Sequence, residues 1–551
     1  METMNRIPRK GNQGVLFRYF SDTPIQGVSV AGTFNSWNPE KYAMTEVSNN
    51  RWELEIGIPK GRHLYKIVVN GDRWILDPLN PNVSEDGQNN SAMTVMEDGE
   101  VFIRTNEVSE RNPGFMYENY QALESPEWIK NAVIYELHIR AFTENGFRGL
   151  TEKIGYFKEL GINVLWLMPF QEVGQEKRIG TYGDPYAVKD FYSIDSRFGT
   201  AEELKFFISE AHRNGIRVIM DWVMNRGSVD HLLTKSHPEF FTRKDNNEVY
   251  YEVPNREYFA GLNFDNGEMR SYIIDAMKYW LAGFDFDGFR LDDSDITPHD
   301  FLAEIRQELS KVKRSIALIS QSYDEFHHID SCDLTYDGNP RILINAIREG
   351  NITQNEFIRI YDSYKYSFPK GALRMSWLEE KEQSRIRDYF GERLTTPAAT
   401  LLMTMEGIPF LMMGQEFNER TYADWTSLFH EYRLAWEPFD KDMFEHYRFL
   451  IHLRTNSPAF WRGELEFIRH SEPNVISYMR RSGDEAYLLL VNLSDRAAYP
   501  VFADDDRTRE WIGKKQEIIY RTGKEEAREQ DRNGGRLLHP YETLIYKVTA
   551  G

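Results

Sequence analysis

Cysteine is almost missing from this chain. Cys332 stands alone among 551 residues, so no intrachain disulfide can form and packing must hold the fold. Positive charge is also in deficit. The 66 Lys and Arg face 86 Asp and Glu, a net charge of -20, which argues against a nucleic-acid backbone as partner. No apolar run approaches the length of a membrane span, and the opening METMNRIPRKGNQG lacks the apolar stretch of a secretory signal. A cytoplasmic protein that engages no membrane is the expectation. HExxH, CxxC and GxxxxGKS/T are absent, which removes the common zinc, redox and phosphate-loop chemistries. There is no short-period repeat and no low-complexity segment.

What is present is a globular composition, 41% hydrophobic and 28% charged, in a chain too long for one ordinary core. Aromatic residues are plentiful, with 12 Trp and 30 Tyr. They suit stacking on sugar rings and large cores equally.

The rhythm of the chain changes twice. Between about 12 and 105, the segments VLFRYF, GVSVAGTF, RWELEIGI, HLYKIVV and RWILD are rich in β formers. Turn signals at Asn35-Ser36, Ser48-Asn49-Asn50, Lys60-Gly61 and Asn70-Gly71 separate them, which predicts a small β-sandwich. From about 130, apolar strands alternate with amphipathic helices. AVIYELHI, INVLWLMPF, IRVIMDWV, FDGFRLD, SIALISQ and PFLMMG read as strands. TEKIGYFKEL reads as a helix ended by Gly161, and Thr200 with Glu203 forms a capping box opening another. This α/β alternation predicts a (β/α)8 TIM barrel; no Gly-rich phosphate turn favours a doubly wound sheet. From about 464 strands return in FIRHSEP, VISYMRR, AYLLLVNLS and ETLIYKV, a C-terminal all-β domain, with EEAREQDRNGG as a solvated loop. The expected division is 1–110, 111–463 with a short insertion at 227–262, and 464–551.

The segment FDFDGFRLD, residues 284–292, carries the sharpest chemistry. Strand side chains alternate, so Arg290 and Asp292 point to the same side. A guanidinium keeps its neighbouring carboxylate ionised. An ionised carboxylate at the end of a buried strand is what a retaining glycosidase uses as nucleophile. Taken alone, the pair also fits an ordinary ion pair inside a barrel.

In their order, these motifs resemble the α-amylase family, glycoside hydrolase family 13, from end to end. MDWVMN, FDGFRLD, IALISQ and WLEEKEQSR are similar to its four motifs. GLNFDN, DPYAVKDFYSIDSRFGT and IPFLMMGQEF resemble three further family segments. The N-terminal segment resembles carbohydrate-binding module family 48, an immunoglobulin-like early-set sandwich of the glycogen-binding type also found in AMP-activated kinase β subunits. Its glucan contacts would fall on Trp37, Lys66, Trp74 and Asn90 or its neighbour Asn89. Two indoles suit the apolar faces of glucose, although filling a sandwich core would use them equally.

By that resemblance Asp292 is the nucleophile, Arg290 its partner, and Tyr186 the stacking platform for the reacting sugar. Other positions depart. Gln321 stands where the family has its acid glutamate. An amide has no titratable proton, and the lost role is worth about 10²–10⁴ in rate. Glu382 holds the third carboxylate position but is one methylene longer, a displacement of about 1 Å that can cost ~10². Arg226, after Asn225, and Lys381 replace the two sugar-gripping histidines.

The resemblance implies an α-glucan or maltooligosaccharide ligand, with a homo-oligomer as a further option. Several readings stay open. In a pseudo-glycosidase, Arg226 and Lys381 would pair with Asp292 and Glu382. In an altered enzyme, the two cations would accept an anionic sugar and Asp324 or Glu325 would supply the acid. An active hydrolase or transglycosylase using Asp292, and a scaffold binding no sugar, complete the set. A deliberate exchange at Gln321 would explain that residue alone. The pair His327-His328 suits a loop or surface better than a metal. No cofactor is expected, with calcium at Asn225 the one candidate.

Overall fold

The computed structural model describes residues 8–549 apart from 22, 49, 81, 85–88, 97–98, 104–119, 245–247, 252–254, 423, 504–507, 509–513 and 524–536. The segment expected as a loop near 525–535 therefore lies outside the described residues.

The first hundred residues form two antiparallel sheets. One joins Arg9–Lys10, Val15–Phe20, Arg51–Ile56 and Thr45–Ser48; the other joins Val28–Gly32, Gly61–Val69, Ser91–Val95 and Val101–Phe102, with Arg73–Ile75 beside it. Alternation drives the pairing. Val15, Phe17 and Tyr19 on one sheet meet Tyr65, Ile67 and Val69 on the other in a single core. The expected turn at Asn70-Gly71 is present, with both residues left-handed at φ 55° and 82°. Sequence reasoning passed over Ser91–Val95 because all five residues are buried, on both faces, and leave no alternation to read.

Eight parallel strands close a barrel. They are β1 (Ile134–Leu137), β2 (Val164–Leu167), β3 (Arg217–Trp222), β4 (Gly288–Leu291), β5 (Ala317–Ser320), β6 (Leu334–Asp337), β7 (Leu373–Trp377) and β8 (Ile408–Met412). The helix after Thr200 runs Ala201–Arg213 and carries the expected capping box. The helix expected at TEKIGYFKEL is two pieces, Gly146–Glu152 and Ile154–Leu160, divided at Lys153 and ended by Gly161 at φ 95°. Strand β6, LTYD, escaped the sequence reading because it is short and half polar. Glycine is required at 288: a Cβ there would lie 1.9 Å from the Ala317 carbonyl oxygen of β5.

Register decides which side chains enter the barrel. Ile134, Val164, Ile219, Ala317, Leu334, Met375 and Ile408 fill it in a core separate from the one beneath the helices. One step further along the strands, the same face carries Glu136, Trp166, Asp221, Arg290 and Tyr336. Arg226–Ser228 and Phe259–Gly261 form a two-stranded ribbon after β3.

Beyond the barrel, Glu464–Phe467, Val475–Ser482, Glu485–Asn492, Thr543–Thr549 and Lys515–Arg521 make an antiparallel sheet. The last of these was missed because KQEIIYR is half charged. This sheet docks on the helix Thr395–Thr404, through Thr404 to the Tyr478 hydroxyl at 2.5 Å and Thr400 to Thr543 at 3.1 Å. Among the described residues no helix is long and apolar enough to cross a membrane.

Candidate active site

The expected pair forms at the C-terminal mouth of the barrel. Arg290, fully buried on β4, donates from one terminal nitrogen to Asp292 Oδ1 at 2.5 Å and to Asp221 Oδ1 at 2.8 Å. Its Nε donates to the Tyr336 hydroxyl at 3.1 Å, and its guanidinium lies 5.1 Å from the Trp166 ring centre. Asp221 Oδ2 accepts from Trp166 Nε1 at 3.1 Å and from the Tyr186 hydroxyl at 2.8 Å. Sequence reasoning did not single out Asp221, Trp166 or Glu136. The available signal was register, since Asp221 stands directly beside Arg290 on the neighbouring strand.

Arg226, at the start of the ribbon, holds the other side of the carboxylate. It donates to Asp292 Oδ2 at 2.5 Å, to Asp293 Oδ2 at 2.5 Å, to Asn225 Oδ1 at 2.9 Å and to the Tyr251 hydroxyl at 3.1 Å. Its guanidinium covers the Phe259 ring at 4.5 Å. Each oxygen of Asp292 therefore meets a guanidinium. Burial alone would raise the Asp292 pKa, but Arg226, Arg290 and Lys381 outweigh it and hold the carboxyl below its usual value.

The expected partnership of Lys381 with Glu382 does not form. Lys381 is fully buried whereas Glu382 is exposed, and no ion pair joins them. The nearest carboxylate to Lys381 Nζ is Glu136, at 3.8 Å, with the rings of Trp166 and Tyr186 at 5.2 and 5.4 Å. Tyr186 is itself buried, with Arg226 and Arg290 each 5.9 Å from its ring. The platform expected for a sugar is thus packed among three cations. Those cations face Asp221, Asp292, Asp293 and Glu136, which weakens the anionic-sugar reading.

Gln321 follows β5 and accepts a hydrogen bond on its Oε1 from the Asp293 backbone N–H at 2.9 Å. It lines a cleft of about 470 Å³ together with Asp293, Asp324, Glu380 and Glu382. Asp292 and Tyr186 are not among the residues lining it. Asp324, offered as a substitute acid, is pushed up to about 6 by burial against the pull of Arg62. Its Oδ1 accepts from the Phe326 backbone N–H, and with Glu325 it holds Arg62 at 4.0 and 3.4 Å. Both acids thereby fasten the N-terminal module. The proton-bearing group that sequence reasoning missed is Glu380, pushed up to about 8 by burial and then by the charge of Glu382.

Other expectations need correction. Asn225 Oδ1 already accepts from a guanidinium, and no group of three or more acidic, histidine or cysteine side chains is placed to hold a metal among the described residues. Calcium does not fit this donor set. His327 and His328 are buried, not at the surface: His327 Nδ1 meets Ser320 Oγ at 2.7 Å and His328 Nε2 meets Thr335 Oγ1 at 2.9 Å. In the N-terminal module Trp74 is 36% exposed, whereas Trp37 is buried against Leu64 and Ala92 in a small cluster of its own, outside the sandwich core. Asn90 is also buried, its backbone donating to Ser84 Oγ at 3.0 Å, and the exposed asparagine is Asn89.

These shifts predict a stability optimum in pH. The folded pKa of Glu380 is raised above the unfolded value, so its contribution is full below about pH 4 and is lost as pH rises through about 8. His63, His231 and His446 are pushed by burial down to about 4, so their contribution is present above about pH 6.5 and is lost as pH falls through about 4. Scanning calorimetry from pH 4 to 9 should find Tm falling at both ends of this range. Glu380→Gln should flatten the alkaline fall, with an effect of at least about 1.4 kcal/mol, one pKa unit. An alkaline limb unchanged in this variant would contradict the assignment.

Comparison with known proteins agrees with this geometry. Residues 143–253 match the model of the α-amylase catalytic domain, and residues 22–101 match the glycogen recognition site of AMP-activated protein kinase. Alpha-amylase 3 of Dictyoglomus thermophilum is 24% identical over 489 residues, covering 76% of this chain and 94% of that protein. Trehalose-6-phosphate hydrolase of Bacillus subtilis is 23% identical, covering 77% and 99%. Among solved structures, the noncanonic maltogenic alpha-amylase AmyB from Thermotoga neapolitana superposes with a TM-score of 0.68 at 29% identity, covering 77% of this chain and all of that one. With an eight-stranded barrel carrying Arg290 and Asp292 at its mouth, the chain is similar in its barrel to the catalytic domain of the α-amylases, glycoside hydrolase family 13, and in its N-terminal module to the glycogen-recognition type.

Proposed function

We propose that this protein binds α-glucan, glycogen or maltooligosaccharide, in the cytoplasm, with weak or no ordinary hydrolysis. The observation that carries the reading is the double clamp on Asp292, one guanidinium on each carboxylate oxygen. A nucleophile must bring a free oxygen to the sugar carbon, and here both are engaged in buried ion pairs. Gln321 adds a second obstacle, since it has no proton to give the leaving oxygen. In this reading the chain divides near residues 110 and 463 into module, barrel and C-terminal sheet. The module resembles a glycogen-recognition site and the barrel resembles named α-amylases, which favours an α-glucan over other ligands.

A second reading has one observation in its favour. Glu380 lies in the cleft with Gln321 and keeps its proton at neutral pH, as a general acid must. An active hydrolase or transglycosylase would use it with Asp292.

Product analysis of maltooligosaccharides between pH 5 and 9 separates the two. Binding without cleavage predicts no new oligosaccharides above background at any pH. The alternative predicts cleavage that declines above about pH 8 and is lost in Glu380→Gln. Brisk cleavage by the wild type would overturn the proposed function.

A further inference from the structure

The strand Gly61–Val69 of the N-terminal module runs from an exposed indole to the mouth of the barrel. Its side chains alternate. His63, Tyr65, Ile67 and Val69 face inward, so Arg62, Leu64, Lys66 and Val68 share the outer face. Trp74 stands opposite Val68 and Ala92 opposite Leu64, which puts both on that face as well. Trp37 packs there against Leu64 and Ala92, and its ring centre is 6.4 Å from that of Trp74, with the planes 35° apart. Ser36 and Trp37 are both left-handed, at φ 54° and 57°. That conformation is costly for a bulky residue and is kept only where the surroundings impose it.

At the far end of the same strand, the face becomes part of the barrel. Arg62, Leu64 and Ser84 line the cleft that contains Gln321, Asp293 and Glu382. The module is fixed in this attitude by Arg62 on Glu325 at 3.4 Å and Lys60 on Asp330 at 3.1 Å. Gly61 sits so close to His299 that a Cβ would meet its ring carbons at 2.7 Å. From Trp74, level with Val68, to Leu64 is four residues of strand, about 13 Å at roughly 3.3 Å per residue.

The geometry points to one continuous α-glucan path, in which the module supplies the outer sugar subsites of the barrel cleft in the same chain. The inference rests on the glucan-binding reading above and goes beyond it. The module is then not a separate anchor. One glucan lies across Trp74, which rests beside the buried Trp37, passes Leu64, and enters the cleft beside Gln321. Chains long enough to reach both ends gain from both, because the second contact is intramolecular. The ligand this selects is a long linear α-glucan segment in preference to a disaccharide or trisaccharide.

Calorimetric titration of the full chain with maltotriose and with maltoheptaose tests this. One maltoheptaose per chain is expected, bound on the order of 10² more tightly than maltotriose. Trp74→Ala should bring maltoheptaose close to the affinity of maltotriose. Trp74 is partly exposed, and an unaltered melting curve confirms that the variant folds. Two maltoheptaose molecules per chain, one of them lost in Trp74→Ala, would overturn the continuous path and leave the glucan-binding reading standing. Failure of the wild type to bind either sugar would overturn both.

Discussion

Replacing Arg290 by alanine is expected to cost about 3–5 kcal/mol, the usual price of removing one partner from a buried ion-pair network. Arg290 is wholly inaccessible and serves Asp221 and Asp292 at once, with the rings of Trp166, Tyr186 and Tyr336 around it. Its loss leaves two carboxylates in the barrel without their shared cation. Burial already holds the Asp221 pKa above its usual value, with Arg290 the first opposing charge, so removing Arg290 raises it further. The variant should lose stability most steeply as pH rises, because deprotonating the stranded carboxylates becomes the cost of folding. Denaturant unfolding at pH 5 and pH 8 reads this directly. A loss under about 1 kcal/mol at both pH values would mean that the pair is not what holds the barrel mouth together.

The second large effect concerns activity. Arg226→His should free one oxygen of Asp292, and Gln321→Glu should supply a proton donor. The two obstacles are separable with α-glucosyl fluoride, whose leaving group departs without acid assistance. On the fluoride, Gln321→Glu alone should change little, while Arg226→His should raise turnover. On maltoheptaose both changes should be needed, and together they should raise cleavage by about 10² or more. Arg226→His also leaves Asp293 without its cation, so the variant's fold must be checked by its melting curve. Full recovery on maltoheptaose from Gln321→Glu alone would show that the guanidinium on Asp292 is no obstacle.

The sequence could be read furthest where periodicity and chemistry coincide. Arg290 and Asp292, two residues apart at the end of β4, form the expected pair because alternation fixes their common side. Arg226 also meets Asp292 as expected. Asp221 was not legible, because its partnership with Arg290 is set by the register of β3 against β4, a contact across 69 residues. Lys381 and Glu382 misled because adjacent residues need not be buried alike. Glu136 could not be found either. It reaches Lys381 only because the closed barrel carries β1 round to the neighbourhood of the loop after β7. In the module, Trp37 and Trp74 were legible as indoles. Their placement on the face that opens into the barrel depends on how the sheet docks, and composition carries no record of that.

The central claim is that this barrel mouth binds α-glucan and leaves it whole. Titrating the wild type with maltoheptaose in a calorimeter, then separating the contents of the same cell by chromatography after prolonged incubation, tests it most directly. Saturable binding with the maltoheptaose recovered intact is the predicted result. Shorter oligosaccharides accumulating at an enzyme-like rate, or no binding at all, would contradict it.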